Sequence, residues 1–228
     1  MKHTSLLKRV LLASTFVSML VSLYLVFVWV PVERQMGPVQ KIFYFHVPSA
    51  WVAFFAFFVV FAASLMYLKT KLELYDIIAG SSAQVGVVFT TIVLISGPIW
   101  GRASWGTWWT WDPRLTTTLI LWFIYLAYLI IRNSAKGHEK NLRLAAVFGI
   151  IGFIDVPIVF MAVRWWRTIH PVVFEANNIG LPPSMLTTLM VCLLTFTLLY
   201  FVLLLKSMKI EQVERKLQNL ISEALKAY

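Results

Sequence analysis

The chain has 228 residues, of which 60% are hydrophobic and 13% are charged, and its formal net charge is +10. Long apolar runs take up most of this length, so the composition excludes a sizeable soluble domain. The basic residues flank those runs. The charge therefore indicates anchoring at a membrane surface and gives no reason to expect nucleic-acid binding.

Six apolar runs are long enough to cross a hydrocarbon core, which takes about 20 helical residues. We predict spans at 10–32, 49–68, 79–100, 115–131, 144–163 and 184–205. The predicted fold is an all-α integral membrane protein with a six-helix domain over 1–205. An outer tryptophan-rich loop at about 97–116 and a cytoplasmic tail over 206–228 complete it.

The basic residues also predict the orientation of the spans. If both termini are cytoplasmic, fourteen of the twenty Lys and Arg residues fall in inner segments and six in outer ones. This bias favours an N-in, C-in topology by the positive-inside rule. The first span is too long for a signal-peptide core and has no small-residue cleavage site, so we expect it to be retained.

Beyond the sixth span, apolar residues recur at helical spacing between charged ones. They are Ile210, Val213, Leu217, Leu220, Ile221 and Ala224. The spacing predicts a short amphipathic C-terminal helix. Such a helix either lies on the inner leaflet or binds a cytoplasmic partner.

Half of the ten tryptophans crowd into one twelve-residue segment of the predicted outer face. They are Trp100, Trp105, Trp108, Trp109 and Trp111. An interfacial belt would spread tryptophans over the rims of every span. This segment therefore suits a surface that holds a flat apolar group, although a lipid anchor is the alternative.

Two of the four histidines lie on the outer side, His46 just before the second span and His170 just after the fifth. His3 and His138 lie in the N-terminal tail and an inner loop, where we expect solvent exposure. Two neutral imidazoles can bind haem iron from opposite faces. The alternative for each outer histidine is an ordinary hydrogen-bonded position at the membrane rim.

Outer arginines can complete such a site, because a guanidinium binds a carboxylate through two parallel hydrogen bonds. The candidates for haem propionates are Arg102, Arg114, Arg164 and Arg167. Their alternative partners are lipid phosphates. The lone Cys192 excludes an intrachain disulfide and a Cys-x-x-Cys-His attachment of covalent haem.

Asp155 is the one acidic residue inside a predicted span, and Pro157 follows it two residues later. An intramembrane carboxylate is costly and is a functional candidate by default. The alternative is a structural acid that meets Gln84 of the third span beside a proline kink.

Several runs resemble one known family. Trp105-Gly-Thr-Trp-Trp-Thr-Trp-Asp112-Pro-Arg-Leu-Thr116 resembles the signature of the WWD-type haem-handling membrane proteins. His46-Val-Pro-Ser-Ala-Trp51, Asp155-Val-Pro-Ile-Val and Trp165-Trp-Arg-Thr-Ile-His170 resemble motifs of the branch called heme exporter protein C of cytochrome c maturation. The resemblance covers about residues 30–205, with the motifs in the same order.

This resemblance implies a protein of the bacterial inner membrane that binds haem b without a covalent bond at the periplasmic face. It implies His46 and His170 as axial ligands, and the tryptophan segment with Asp112 as the platform where haem meets a membrane-tethered haem chaperone. Arg102, Arg114 and Arg167 are the arginines predicted to bind the haem propionates. The implied partners are an ATP-binding-cassette transporter pair and a small single-span helper, and no catalytic turnover is expected.

Pro113 follows Asp112 where the family often has a small residue, and we expect it to fix the start of the fourth helix. Two other functions compete with haem delivery. A b-type cytochrome-like redox subunit would need histidines at two depths, and the predicted spans contain none. A small-solute permease subunit would place broken helices and polar groups near the midplane, where only Asp155 with Pro157 qualifies.

Overall fold

The computed structural model describes residues 2–134, 139–168, 170 and 180–226. Within these ranges the chain is helical apart from its connections, and six helices are long and apolar enough to cross a membrane. They are Leu6–Trp29, Pro38–Thr70, Glu73–Trp105, Pro113–Asn133, Lys140–Trp165 and Pro183–Leu225. The predicted all-α, six-span fold is confirmed. Lys136 and His138 of the predicted inner loop lie outside the described residues.

Seven α-helices build these spans. The first, α1 (Lys2–Tyr24), continues as a π-helix, Leu25–Trp29, and a 3-10 turn, Pro38–Ile42, leads into the second. The others are α2 (Phe43–Thr70), α3 (Glu73–Trp105), α4 (Pro113–Asn133), α5 (Glu139–Gly152), α6 (Asp155–Trp165) and α7 (Pro183–Lys226). The fifth span is therefore α5 and α6 in series, with a break just before Asp155.

The tryptophan-rich loop is shorter than predicted, because α3 does not end with its apolar run. It continues to Trp105 and ends where Gly106 takes a left-handed conformation, φ 75°, and donates its N–H to Arg102 O at 3.1 Å. Glycine is the residue that adopts this φ without strain. With α4 starting at Pro113, the predicted loop 97–116 is reduced to 106–112.

The second span also begins earlier than predicted, so His46 belongs to the first turn of α2 and does not precede the helix. Pro48 follows within the same helix. Pro48 is the sixth residue of α2, so it lacks the N–H that another residue at this position would donate to Tyr44 O. The prediction that no span contains a histidine is therefore wrong for His46.

The C-terminal tail is not a separate helix. It continues α7, whose 44 residues reach about 66 Å, well beyond a hydrocarbon core of about 30 Å. The residues predicted to form an amphipathic stripe are exposed, among them Ile210, Leu217 and Leu220.

Small residues let α2 and α3 pack closely along their lengths. A Cβ on Gly86 would lie 2.5 Å from Phe57 Cε1, so only glycine leaves room for that ring. Phe57 stacks on Tyr125 of α4 with ring centroids 3.7 Å apart. The Ser82 hydroxyl donates to Ala56 O at 2.8 Å across the interface. Close backbone approach through small residues is the usual way membrane helices associate.

One end of the bundle carries a buried ionic cluster. Arg132 of α4 donates to both Asp76 oxygens, at 3.1 and 2.9 Å, and to Glu211 of α7 at 3.1 Å. Arg215 binds Asp76, and it binds Glu211 and Glu73 at 2.9 Å each. The cluster joins α3, α4 and α7 at the end opposite the tryptophan loop.

Candidate functional site

His46 is held against α3 by three neighbours. Its Nδ1 lies 2.8 Å from Ser96 Oγ, and its ring meets Trp100 edge-on with centroids 5.8 Å apart. A Cβ on Gly97 would lie 3.3 Å from His46 Cε1, which is tighter than an ordinary contact. Gly97 therefore lets the imidazole lie close to the α3 backbone.

His170 lies beyond α6, and a short polar chain positions it. Its backbone N–H donates to Thr168 Oγ1 at 3.1 Å, and the Thr168 hydroxyl donates to Asp112 Oδ2 at 2.6 Å. His170 Nδ1 lies 3.6 Å from Asp112 Oδ1, longer than a hydrogen bond but close to a full negative charge. Trp105 meets the imidazole edge-on at 5.1 Å.

Asp112 also starts α4. Its Oδ1 accepts the Arg114 backbone N–H at 2.9 Å, which is the usual N-cap arrangement. Pro113 occupies the first turn, so the expectation that it fixes the start of the fourth helix is confirmed. The Asp112 side chain is buried, with only 7% of the residue exposed, although the resemblance implied that Asp112 belongs to a docking platform.

The His170 imidazole is held neutral. Burial and then the positive charge of Arg114 lower its pKa to about 4, although the Asp112 carboxylate opposes both effects. At physiological pH the ring is therefore uncharged. The neutral imidazole is the form that binds a metal.

The two imidazoles line one cavity, which extends between α2, α3 and α4. Arg114 and Thr118 of α4 and Thr90 of α3 also line this cavity. The cavity volume is about 40 Å³. That is space for a few water molecules but not for a porphyrin ring, so a ligand of that size requires the two histidine-bearing segments to separate.

The five tryptophans fall into two groups. Trp100 and Trp105 belong to α3, and each flanks one of the two imidazoles. Trp108 and Trp111 extend from the loop, with 59% and 70% of their surface exposed. Trp109 packs against Trp111 at right angles, ring centroids 5.7 Å apart. The sequence predicted one platform, whereas the structure separates imidazole contacts from an exposed aromatic loop.

Of the arginines predicted to bind the haem propionates, Arg114 is the one that shares the histidine cavity. Arg102 closes the end of α3 through a hydrogen bond to Gly106 O. Arg164 lies over the Phe160 ring, 5.4 Å from its centroid. Arg167 is exposed on the segment after α6.

Asp155 is the first residue of α6, at the break inside the fifth span. The predicted pair with Gln84 is not formed, because Gln84 Oε1 instead accepts the Ser207 hydroxyl at 2.7 Å. Asp155 Oδ2 is buried and has no hydrogen-bond partner among the described residues.

A larger outer cavity of about 670 Å³ lies on another side of Trp100. Its walls include Phe43, Met36 and Met185, and Gln40 and Arg34 contribute polar groups. Trp100 donates its indole N–H to Met36 Sδ at 3.3 Å. Trp100 therefore separates a roomy apolar cavity from the imidazole of His46.

Sequence reasoning missed Ser96, Gly97 and Thr168, which position the two histidines. Ser96 and Gly97 stand side by side near the outer end of the third apolar run. Two small residues at this place were the available signal for a close contact with another helix. Thr168 stands two residues before His170. Within the described residues no three His, Cys, Asp or Glu side chains gather to hold a bare metal ion. Two imidazoles suit an iron whose other ligands belong to a porphyrin.

The chain resembles known proteins over most of its length. The family model for heme exporter protein C matches residues 1–223. The heme exporter protein C of Bradyrhizobium diazoefficiens is 37% identical over 192 residues, which are 83% of this chain and 73% of that protein.

Two further relatives match over shorter stretches. Heme exporter protein C of Escherichia coli is 33% identical over 144 residues, 63% of this chain and 59% of that protein. A ccmC-like mitochondrial protein of Marchantia polymorpha, named for cytochrome c biosynthesis, is 38% identical over 144 residues, 63% of this chain and 60% of that protein.

Proposed function

Because this chain belongs to the heme exporter protein C family of cytochrome c biogenesis, we propose that it binds haem b non-covalently between His46 and His170. It then delivers this haem to a membrane-tethered haem chaperone. The haem is cargo, so the protein binds and transfers it without chemical turnover. The site lies at the periplasmic face of a bacterial inner membrane.

One observation carries the proposal: the two outer histidines, 124 residues apart in sequence, line a single cavity with Arg114. Haem supplies an iron with two free axial positions and two propionate carboxylates. The imidazoles fit the iron, and the guanidinium fits a propionate through charge-assisted hydrogen bonds. Arg102 and Arg167 lie at the exposed rim, where they can bind the second propionate.

The two ligands sit on different supports, which favours a site that opens. His46 belongs to a membrane-spanning helix, whereas His170 belongs to the connection after α6. The cavity of about 40 Å³ must widen before a porphyrin enters. Separation of His170 from α2 provides this widening for entry, and the same opening releases the cargo.

The exposed loop supplies the surface for transfer. Trp108 and Trp111 are largely exposed and stand beyond the imidazoles, where flat rings can stack on a porphyrin edge or on a partner protein. We propose that the chaperone binds here. We also propose that this protein has further partners in the membrane. They are the ATP-binding-cassette transporter pair and the small single-span helper that the resemblance implies.

Haem titration of the full chain tests this function. Protein purified in mild detergent is mixed with increasing haem b, and the absorbance spectrum and pyridine haemochrome are recorded. We expect saturation at a single equivalent, with a low-spin six-coordinate spectrum. Failure to bind stoichiometrically contradicts haem handling by this site. Two equivalents per chain would instead support a redox subunit with haems at two depths.

A further inference from the structure

We propose that Ser96 is a positioning residue that fixes the tautomer of His46, so that Nε2 faces the cavity as a free electron-pair donor. The inference rests on the proposed function, which it deepens, and concerns how this chain prepares one of its two iron ligands. It rests on contacts between α2 and α3.

The Ser96 hydroxyl has one proton and already donates it. Its Oγ lies 2.7 Å from Ile92 O, one turn earlier in α3. The same Oγ lies 2.8 Å from His46 Nδ1. Both hydrogen bonds form together only if Nδ1 carries the proton and Ser96 accepts it. The unprotonated nitrogen is then Nε2, the one able to bind a metal.

Two other hydroxyls in the protein show the same arrangement with an unambiguous donor. Thr91 Oγ1 donates to Val87 O at 2.8 Å and accepts the Trp122 indole N–H at 2.9 Å. Thr197 Oγ1 donates to Leu193 O at 2.7 Å and accepts the Trp51 indole N–H at 3.1 Å. An indole N–H can only donate. A back-bonded hydroxyl that accepts a ring N–H from a neighbouring helix is thus a recurrent contact in this bundle.

The neighbours of His46 restrict the ring as well. Gly97 lies against Cε1, and the edge of Trp100 lies beside the ring. With Nδ1 directed at Ser96, these contacts leave the Nε2 edge of the ring for the cavity that His170 shares.

The partner groups make the two imidazoles unequal. His46 donates to a neutral hydroxyl, whereas His170 Nδ1 faces the carboxylate of Asp112. A carboxylate partner raises the basicity of a ligating imidazole. The two imidazoles therefore differ in the group that faces Nδ1, a hydroxyl for His46 and a carboxylate for His170.

The first test uses the haem-free protein. Full-length chain with ¹⁵N-labelled histidine is examined in detergent by NMR at neutral pH, and the His46 signals are assigned with His46→Ala. We expect the Nδ1–H tautomer in the wild type and a mixture, or the Nε2–H form, in Ser96→Ala. An Nε2–H tautomer in the wild type overturns the proposal, whether or not haem binds.

The second test measures haem affinity in matched variants. Ser96→Ala should weaken haem binding by about 10- to 100-fold, the usual effect of losing a group that orients a metal ligand. Ser96→Thr keeps the hydroxyl and should restore affinity. Thr91→Ala removes an equivalent interhelical hydrogen bond on α3, between two residues that do not line the histidine cavity, and its affinity should equal that of the wild type.

The outcomes separate tautomer control from helix packing. If Thr91→Ala weakens haem binding as much as Ser96→Ala, the Ser96 effect is packing and the proposal is overturned. The same holds if Ser96→Ala keeps both the wild-type tautomer and the wild-type affinity. If the wild type binds no haem while His46 is the Nδ1–H tautomer, the proposed function fails and the tautomer assignment stands.

Discussion

Asp112 performs three tasks with one carboxylate. It caps α4 through the Arg114 N–H, accepts the Thr168 hydroxyl, and faces His170 Nδ1. The first two tasks need only an oxygen acceptor. The third depends on negative charge, because the carboxylate orients the imidazole and raises its basicity.

Asp112→Asn separates these tasks. Asparagine caps a helix about as well as aspartate, so α4 should keep its start and the protein its thermal stability. Loss of the charge beside His170 should weaken haem affinity by about 10- to 100-fold, measured by titration in detergent. Unchanged affinity would show that the Asp112 charge does not act on the ligand.

At this scale the sequence pointed to candidate haem-binding residues but not to the residues that position them. His46 and His170 stood out as candidate axial ligands because of their residue type and motifs, and Asp112 because of its motif. Ser96 and Thr168 did not, because their roles depend on the register of α2 against α3 and on the path of the chain after Trp165. Neither the register of the helices nor the path of the chain can be read from a local sequence pattern.

The secondary-structure elements show which property of the sequence sets a helix end. Hydropathy predicted that the third span ends at Trp100, but the helix passes through Gly101 and continues to Trp105, and Gly106 then takes a left-handed φ. Hydropathy indicates which residues lie in the hydrocarbon core, whereas the helix ends where the backbone conformation changes, here at the left-handed Gly106. Arg102 and Trp105 were therefore assigned to a loop although they belong to α3.

The loop that remains should act in transfer more than in ligation. Trp108→Ala and Trp111→Ala remove exposed rings that touch neither imidazole in the contacts described above. We expect the low-spin haem spectrum to persist and the rate of haem transfer to the purified chaperone to fall. Trp100→Ala, which removes a neighbour of His46, should alter the spectrum itself. Loss of the spectrum in the loop variants would contradict this division.

At the end of the bundle opposite the histidine site, ion pairs join the helices. Asp76→Asn leaves the buried Arg132 guanidinium short of its main partner, and breaking a buried ion pair costs about 3–5 kcal/mol. We expect a clear drop in thermal unfolding temperature with haem affinity retained. Glu73→Gln is the control, because Glu73 is 64% exposed in its ion pair with Arg215 and exposed pairs contribute about 0–1 kcal/mol. Equal destabilisation by both variants would contradict the claim that the buried Arg132–Asp76 ion pair stabilises this end of the bundle.

At the scale of the whole molecule, the six spans followed from the length of the apolar runs alone, because a helix must be about 20 residues long to cross the bilayer. The convergence of His46 and His170 on one cavity did not follow, since sequence places both on the same side but gives no lateral order of helices. The resulting bundle has a histidine site at one end and an ionic cluster at the other.

The predicted orientation assigns these ends to different compartments. In intact cells, a membrane-impermeant maleimide should label Gln35→Cys in the connection between α1 and α2. It should label Ser222→Cys of α7 only after the membrane is permeabilised. Cys192 is buried and should give little background. The reverse labelling pattern would place the histidine site in the cytoplasm.

The axial ligands are tested most directly by the ferric spectra of His46→Ala and His170→Ala, recorded with and without added imidazole. The wild type should be low-spin and six-coordinate. Each variant should become high-spin or bind haem weakly, and imidazole should restore the low-spin form because it fills the vacated position. Retention of the wild-type spectrum in both variants without imidazole would contradict ligation by this pair.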